Sequence, residues 1–115
     1  MAGVKRGEVW TVAAGGGYLG KPRPAVIVQD DRFDATASVT LCPFTSDDTD
    51  APLIRLLVSP TESNGLDAPS RLMVDKLTTV SKAKLRRRLG RLDREDVLRL
   101  DRSIFVFLGL GSPAD

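Results

Sequence analysis

The chain has 115 residues, of which 42% are hydrophobic and 28% charged, so it can form one globular domain over 1–115 but not two. Its 17 Lys and Arg against 15 Asp and Glu leave a net charge of +2, which excludes a histone-like charge blanket but allows a local basic patch. With no His and one Cys, the chain cannot form a Cys/His zinc site, an imidazole acid–base pair or an internal disulfide. The longest apolar run, Ile104–Leu108, is far shorter than the roughly 20 residues that span a bilayer. We expect a soluble cytoplasmic protein with no cofactor and no metal ion.

Five short segments rich in β-branched residues predict strands in the first two thirds of the chain. Gly, Pro, Asp and Ser clusters bound them, and the absence of a long helical pattern between them disfavours a βαβ arrangement. The five predicted strands are Glu8–Val12, Ala25–Val28, Val39–Cys42, Leu53–Val58 and Arg71–Val74. We therefore expect a mainly β protein with C-terminal helices. Its sheet should be antiparallel and curled, with five or more strands, or form a small SH3-like barrel.

The last third of the chain predicts two helices. Ser81 is a candidate cap for a short helix through Leu89, with Gly90 as its C-terminal stop. Asp93 and Asp96 resemble a capping box before a longer helix that Gly109 ends. We expect the apolar face of this longer helix to pack on the sheet. That face carries Val97, Leu100, Ile104, Phe105 and Leu108.

Arg23 is the first candidate for chemistry. Pro22 and Pro24 restrict its backbone to extended geometry, so its guanidinium is presented from a stiff position at the start of a strand. The guanidinium fork matches two phosphate oxygens at once and keeps its proton at neutral pH. The residues alone leave open that Arg23 is simply an exposed Arg at a turn.

Thr45 and Ser46 place two adjacent hydroxyls at the end of the third predicted strand. Such hydroxyls commonly serve as turn formers or caps. However, antiparallel pairing of this strand with the preceding one would bring Arg23 close to both hydroxyls. A guanidinium beside hydroxyls predicts an anion site. Asp75, at the end of the fifth predicted strand, is either a turn residue or a carboxylate at the mouth of the same site.

Other chemistry-bearing residues favour plainer interpretations. Cys42 lies within an apolar strand without an activating base, as is typical of an inert core residue. The Gly-rich loop Ala13–Gly20 lacks the Lys-Ser/Thr pair and the helix onset of a nucleotide-binding loop. Three carboxylates bunched on one loop are expected to be solvated rather than to hold a metal ion. They are Asp47, Asp48 and Asp50.

A basic run follows the predicted strands. It comprises Lys82, Lys84, Arg86, Arg87, Arg88 and Arg91. The run is either an ordinary solvated face or an electrostatic steering patch for nucleic acid.

Several motifs follow one another in an order that is more specific than any of them alone. They are Arg6–Trp10 (RGEVW), a Gly-containing loop, Arg23–Val28 (RPAVIV), Pro43–Ser46 (PFTS), Asp75–Val80 (DKLTTV) and Gly90–Leu92 (GRL) before the final helix. Over nearly the whole chain, this order resembles the MazF/PemK family of toxin endoribonucleases.

The resemblance implies a curled antiparallel sheet with a few helices, in the fold shared with the gyrase-poisoning CcdB toxins, assembled as a homodimer. It also implies a cytoplasmic, metal-independent ribonuclease that cuts single-stranded RNA at a short sequence, inhibits translation and growth, and is silenced by a cognate antitoxin. We expect that antitoxin to offer an acidic, partly disordered segment to the basic RNA groove.

The resemblance also assigns site residues. It makes Arg23 the family's catalytic Arg and Thr45, with Ser46 beside it, the hydroxyl residue. Asp75 falls where PemK-like members place an acidic residue near the scissile group. The His that those members carry in the first loop is absent here. The expected RNA-binding residues are Tyr18, Lys21, Arg71 and Lys76.

The expected chemistry follows from RNA itself. Metal-free cleavage uses the neighbouring 2′-OH as nucleophile, so the protein must help remove its proton, neutralise a pentavalent phosphate and protonate the leaving 5′ oxygen. Arg23 suits the charge role, and the Thr45 and Ser46 hydroxyls can bind phosphate oxygens or orient the 2′-OH. The expected products are a 2′,3′-cyclic phosphate and a 5′-OH. The alternatives are a gyrase-directed toxin that acts through its C-terminal helix and a non-catalytic barrel that binds RNA or peptide.

Overall fold

The computed structural model describes residues 3–13 and 21–111, so most of the predicted Gly-rich loop, including Tyr18, lies outside the described residues. The described residues form seven strands and one α-helix. They are β1 Glu8–Val12, β2 Arg23–Ile27, β3 Ser38–Thr45, β4 Arg55–Val58, β5 Ser70–Met73, β6 Thr78–Ser81, β7 Leu85–Arg91 and α1 Arg94–Phe107. Short 3-10 turns cover Asp31–Phe33, Val74–Lys76 and Lys82–Lys84. No helix within the two described ranges is long and apolar enough to cross a membrane.

The strands form an open antiparallel sheet with the order β4-β5-β3-β2-β1-β7. The longest strand, β3, pairs with β2 along one edge, and with β6 and then β5 along the other. All five predicted strands are present, with ends that differ by at most three residues. The mainly β, antiparallel fold is thus confirmed, and the sheet is open rather than a closed barrel.

Alternating residues of β3 enter two separate apolar clusters, because successive side chains of a strand point to opposite faces. Cys42 and Phe44 join the larger cluster, which Leu100 of α1 covers. Val39 and Leu41 join a smaller cluster on the other face. Thr45 continues the odd-numbered series and therefore lies on the face that carries the smaller cluster, away from α1.

The predicted helix from Ser81 to Leu89 is wrong. The Ser81 hydroxyl does act as a cap, accepting the Ala83 N–H at 3.2 Å, but of a single 3-10 turn. The chain then forms β7, which completes the open edge of β1. Two register shifts in the β1–β7 pairing place Leu85 against the smaller cluster and Leu89 against the larger one. Tertiary pairing thus overrides the helix propensity of a Leu-, Lys- and Arg-rich segment.

The longer helix is present as α1. The Asp93 carboxylate accepts the Asp96 N–H at 2.9 Å, as the predicted cap requires, and Gly109 follows the helix with a φ of 72°. The expectation that its whole apolar face packs on the sheet is wrong at the C-terminal end. Leu100 is 2% exposed, but Phe105 is 52% and Leu108 55% exposed. The helix contacts β4 and the Val74–Lys76 turn.

Candidate active site

Three side chains from neighbouring strands form a row across the sheet, here called the polar row. The pairing of β2 with β3 ends at Ala25–Pro43, and Arg23 and Thr45 each lie two residues beyond that pair, on the same face of the sheet. On its other side Thr45 pairs with Arg71 of β5. Directly opposed residues of antiparallel strands point to the same face, with Cβ atoms about 4.5–5.5 Å apart. Arg23, Thr45 and Arg71 therefore share one face.

The polar row lies where the smaller apolar cluster meets solvent. Ala25, two residues beyond Arg23 on β2, is 1% exposed, whereas Arg23 is exposed and Thr45 is half-buried. Among the described residues, no carboxylate lies within 4 Å of the guanidinium of Arg23 or of Arg71. Both charges are thus available to an anion bound on the row.

The Thr45 hydroxyl makes one hydrogen bond among the described residues. Its Oγ1 accepts the Asp47 N–H at 3.1 Å, which closes the turn after β3. The hydroxyl proton is left to donate to a ligand, because a hydroxyl can donate and accept at once. Ser46 is exposed and follows Thr45 outside the strand pairing. Of the two predicted hydroxyl residues, Thr45 is therefore the one that belongs to the polar row.

Asp75 lies in the Val74–Lys76 turn, and Arg55 engages both of its carboxylate oxygens. Arg55 Nε donates to Asp75 Oδ1 at 2.8 Å, and Nη2 donates to Oδ2 at 3.0 Å. These hydrogen bonds lower the pKa of Asp75. A carboxylate held ionised in this way is a weak proton acceptor. Sequence reasoning missed Arg55, whose signal is its alternation with the buried Leu56 in a short strand.

Two of the remaining predicted RNA-binding residues are exposed lysines. Lys21 is exposed and lies two residues before Arg23. Lys76 is exposed and follows Asp75 in the same turn. Arg71 belongs to the row itself.

Residues 5–108 match the family model described as PemK-like, MazF-like toxin of type II toxin-antitoxin system. The chain belongs to this family. It is 56% identical over 107 residues to the probable endoribonuclease MazF of Mycolicibacterium smegmatis, covering 93% of this chain and 98% of that protein. It is 30% identical to the endoribonuclease MazF9 of Mycobacterium tuberculosis, covering 95% and 99% of the two chains.

Solved structures of MazF-like toxins share the fold. A mycobacterial endoribonuclease in complex with its cognate antitoxin superimposes with a TM-score of 0.78 at 23% identity, covering 96% of this chain and 99% of that one. MazF in a MazE–MazF crystal structure from Deinococcus radiodurans gives 0.77 at 17% identity, covering 96% and 100%. The family membership confirms the resemblance found in the sequence and the predicted class of function, a toxin endoribonuclease of a toxin–antitoxin system.

Within this MazF-like fold, two members of the basic run are tied to carboxylates. Arg88 Nε donates to Glu8 at 2.8 Å, and Lys82 pairs with Asp34 at 3.2 Å. Arg86, Arg87 and Arg91 are exposed along β7, an end strand of the sheet. The run is therefore part structural and part solvated. It begins in the Lys82–Lys84 turn and continues along β7, not along the predicted helix.

Cys42 has no chemical part in the site. It is fully buried within β3, and burial raises the pKa of its thiol to about 12. The thiol thus stays protonated at neutral pH, in agreement with its interpretation as an inert core residue.

Proposed function

We propose that the polar row is the active site of a metal-independent endoribonuclease, which cuts single-stranded RNA through attack of the 2′-OH on the adjacent phosphate. The observation that supports this most is the register of β2, β3 and β5, which aligns two guanidiniums on either side of one hydroxyl. Donors placed at the scissile phosphate stabilise the charge that develops on it, and we assign this role to Arg23 and Thr45.

The three residues have different roles. Arg23 binds the non-bridging oxygens of the scissile phosphate, since its start-of-strand position between two prolines limits its motion. Thr45 donates its hydroxyl proton to the same phosphate while accepting the Asp47 N–H. The exposed Ser46 hydroxyl lies within one residue of this point and can orient the 2′-OH. Arg71 lies two strand spacings from Arg23, about 10 Å, and meets the next part of the RNA.

Asp75 acts on this site through Arg55. Its carboxylate accepts two hydrogen bonds from that guanidinium, so it positions Arg55 and does not take the proton of the 2′-OH. Lys21 and Lys76 contribute electrostatic attraction to the RNA backbone, which weakens with added salt. Tyr18, which lies outside the described residues, stays a predicted RNA-binding residue. The enzyme would act in the cytoplasm, where it would cut RNA and so stop translation and growth.

The proposed partners are a second copy of the chain and an antitoxin. Five apolar side chains at the end of α1 are 44–58% exposed, which is unusual for a monomer. They are Phe105, Val106, Phe107, Leu108 and Leu110. We assign them to a homodimer contact. Light scattering should therefore give twice the mass of one chain, and Phe105→Glu should lower the measured mass toward that of a single chain. A cognate antitoxin is proposed because related toxins are solved with theirs.

The test is RNA cleavage in EDTA. Purified protein should cut a single-stranded RNA and leave a 2′,3′-cyclic phosphate and a 5′-OH. The same oligonucleotide with one 2′-deoxy sugar at the cleaved position should stay intact, because the nucleophile is missing. Cleavage of the deoxy substrate refutes the mechanism. If no RNA is cut, trapping of a gyrase–DNA complex would favour a CcdB-like toxin, and RNA binding without cleavage would favour a binding module.

A further inference from the structure

A cavity of about 190 Å³ opens beside the Arg71 end of the polar row. The segment Thr49–Pro52 forms one wall, Arg55 and Arg71 come from β4 and β5, and Arg99 comes from α1. Because Arg71 belongs to both the row and the cavity, a nucleotide next to the cleaved linkage can place its base in the cavity while its phosphate stays on the row.

Two of the guanidiniums in the cavity are held in fixed orientations. Arg99 Nη1 donates to the Leu57 carbonyl at 3.0 Å and to the Asp96 carboxylate at 2.8 Å. Arg55 is fixed by its two hydrogen bonds to Asp75. Donors that are already oriented lose little side-chain freedom when a ligand binds, which favours recognition of a particular hydrogen-bonding pattern.

The charges on and next to the cavity wall balance. Three guanidiniums, those of Arg55, Arg71 and Arg99, line the cavity, and three carboxylates either line it or pair with these guanidiniums. Two of these carboxylates, Asp75 and Asp96, pair with Arg55 and Arg99, and the third, Asp50, lines the cavity wall. A site of this kind suits a neutral ligand with both donors and acceptors better than it suits a second phosphate.

The pattern of groups selects among the four bases. Arg71 and Arg99 present donors, and Asp50 presents an acceptor. The Watson–Crick edge of cytosine offers one donor, the N4 amino group, beside two acceptors, N3 and O2. Uracil would turn its O4 acceptor toward the Asp50 carboxylate, adenine offers one acceptor fewer, and guanine places an N–H donor next to its amino group.

We propose that this cavity binds a cytosine base next to the cleaved linkage, with Asp50 accepting the N4 amino group and with Arg71 and Arg99 donating to N3 and O2. The proposal rests on the proposed ribonuclease function, whose substrate it specifies. Asp50 is then the residue that distinguishes cytosine from uracil.

The experiment compares two labelled heptamers of 2′-O-methyl adenosine that contain one central cytosine or one central uracil. Neither can be cleaved by 2′-OH attack, so fluorescence anisotropy measures recognition whether or not the protein cuts RNA. The wild type should bind the cytosine heptamer about 10- to 100-fold more tightly, as expected for one well-formed base contact. Asp50→Asn should remove most of this preference, because the amide can present either a donor or an acceptor.

Asp48→Asn is the matched control, since Asp48 is an exposed carboxylate directly before the Thr49–Pro52 segment and does not line the cavity. It should keep the preference for cytosine. Equal affinity of the wild type for the two heptamers, no measurable binding of either, or an equal loss of preference in both variants would each overturn the proposal. If the wild type shows one of these results but still cuts RNA in EDTA, the cavity assignment fails and the proposed function stands. If the wild type prefers the cytosine heptamer but cuts no RNA, the proposed function fails instead.

Discussion

Replacing Thr45 with Val tests the role of one hydroxyl with little disturbance of the fold. Valine keeps the branched shape of threonine and suits a strand. In the described structure the change removes one hydrogen bond, the 3.1 Å contact from the Asp47 N–H. Asp47 is exposed, so water can replace that contact. The expected loss of unfolding free energy is therefore below about 1 kcal/mol, or a few degrees in Tm.

The expected effect on catalysis is much larger. If the Thr45 hydroxyl donates to the scissile phosphate, its removal resembles the loss of one preorganised oxyanion donor, which lowers kcat by roughly 10²- to 10³-fold. A stability change below about 1 kcal/mol leaves nearly all molecules folded, because a domain of this size is stable by about 5–15 kcal/mol. The two effects can therefore be separated.

The assay is single-turnover cleavage of a fluorophore–quencher RNA, together with thermal unfolding of each variant. Thr45→Ser keeps the hydroxyl and should stay within about tenfold of the wild type. Ser46→Ala should lose less activity than Thr45→Val, because Ser46 lies outside the row. A wild-type rate in Thr45→Val, or an equal loss in Thr45→Ser, would refute the assignment.

Further predictions concern the fold and the groups around the site. Leu100→Ala should lower unfolding free energy by about 2–5 kcal/mol in urea titration, since Leu100 is 2% exposed. Leu98→Ala, at a position 43% exposed on the same helix, should change it by less than about 0.5 kcal/mol, and similar losses would contradict the packing of α1. Arg55 holds the pKa of Asp75 below its usual 3.8, so the pair stabilises the fold above that pH and stops doing so as the pH falls through the lowered pKa. Asp75→Asn should therefore be less stable than the wild type at pH 7, with a difference that shrinks toward pH 2; a constant difference would count against the pairing. Because burial raises the pKa of Cys42 from 9.0 to about 12, its alkylation at pH 8 should be on the order of 10³-fold slower than in the urea-unfolded chain, and rapid labelling of the native protein would argue against its burial.

The first five strands of the sheet can be predicted from the sequence, but the last two cannot. The first five are predictable because β-branched segments alternate with turn residues. No predicted strand covers β6. The β7 segment predicts a helix because Leu85 and Leu89 are four residues apart, as on a helix face. The two leucines reach opposite clusters only through the register shifts in the β1–β7 pairing. Bulges of that kind have no signature in a Lys- and Arg-rich segment.

The candidate site could be predicted from the sequence only in part. Consecutive antiparallel strands were enough to predict that Arg23 and Thr45 lie close together, but the register that adds Arg71 and excludes Ser46 appears only in the structure. The pairing of Asp75 with Arg55 joins residues 20 positions apart, and Arg99 reaches the cavity from a helix that follows every strand. Contacts of this range depend on tertiary packing, which single-sequence patterns do not encode.

The most direct test of the central claim is to incubate wild type, Arg23→Ala and Arg94→Ala with one long single-stranded RNA in EDTA and to map the 5′ ends of the fragments. Arg94 is an exposed Arg at the start of α1, far from the row in sequence, and serves as the matched control. Wild type and Arg94→Ala should cut at one recurrent short sequence, and Arg23→Ala should cut at least about 100-fold more slowly. Equal cleavage by Arg23→Ala, at the same sites, would contradict the account.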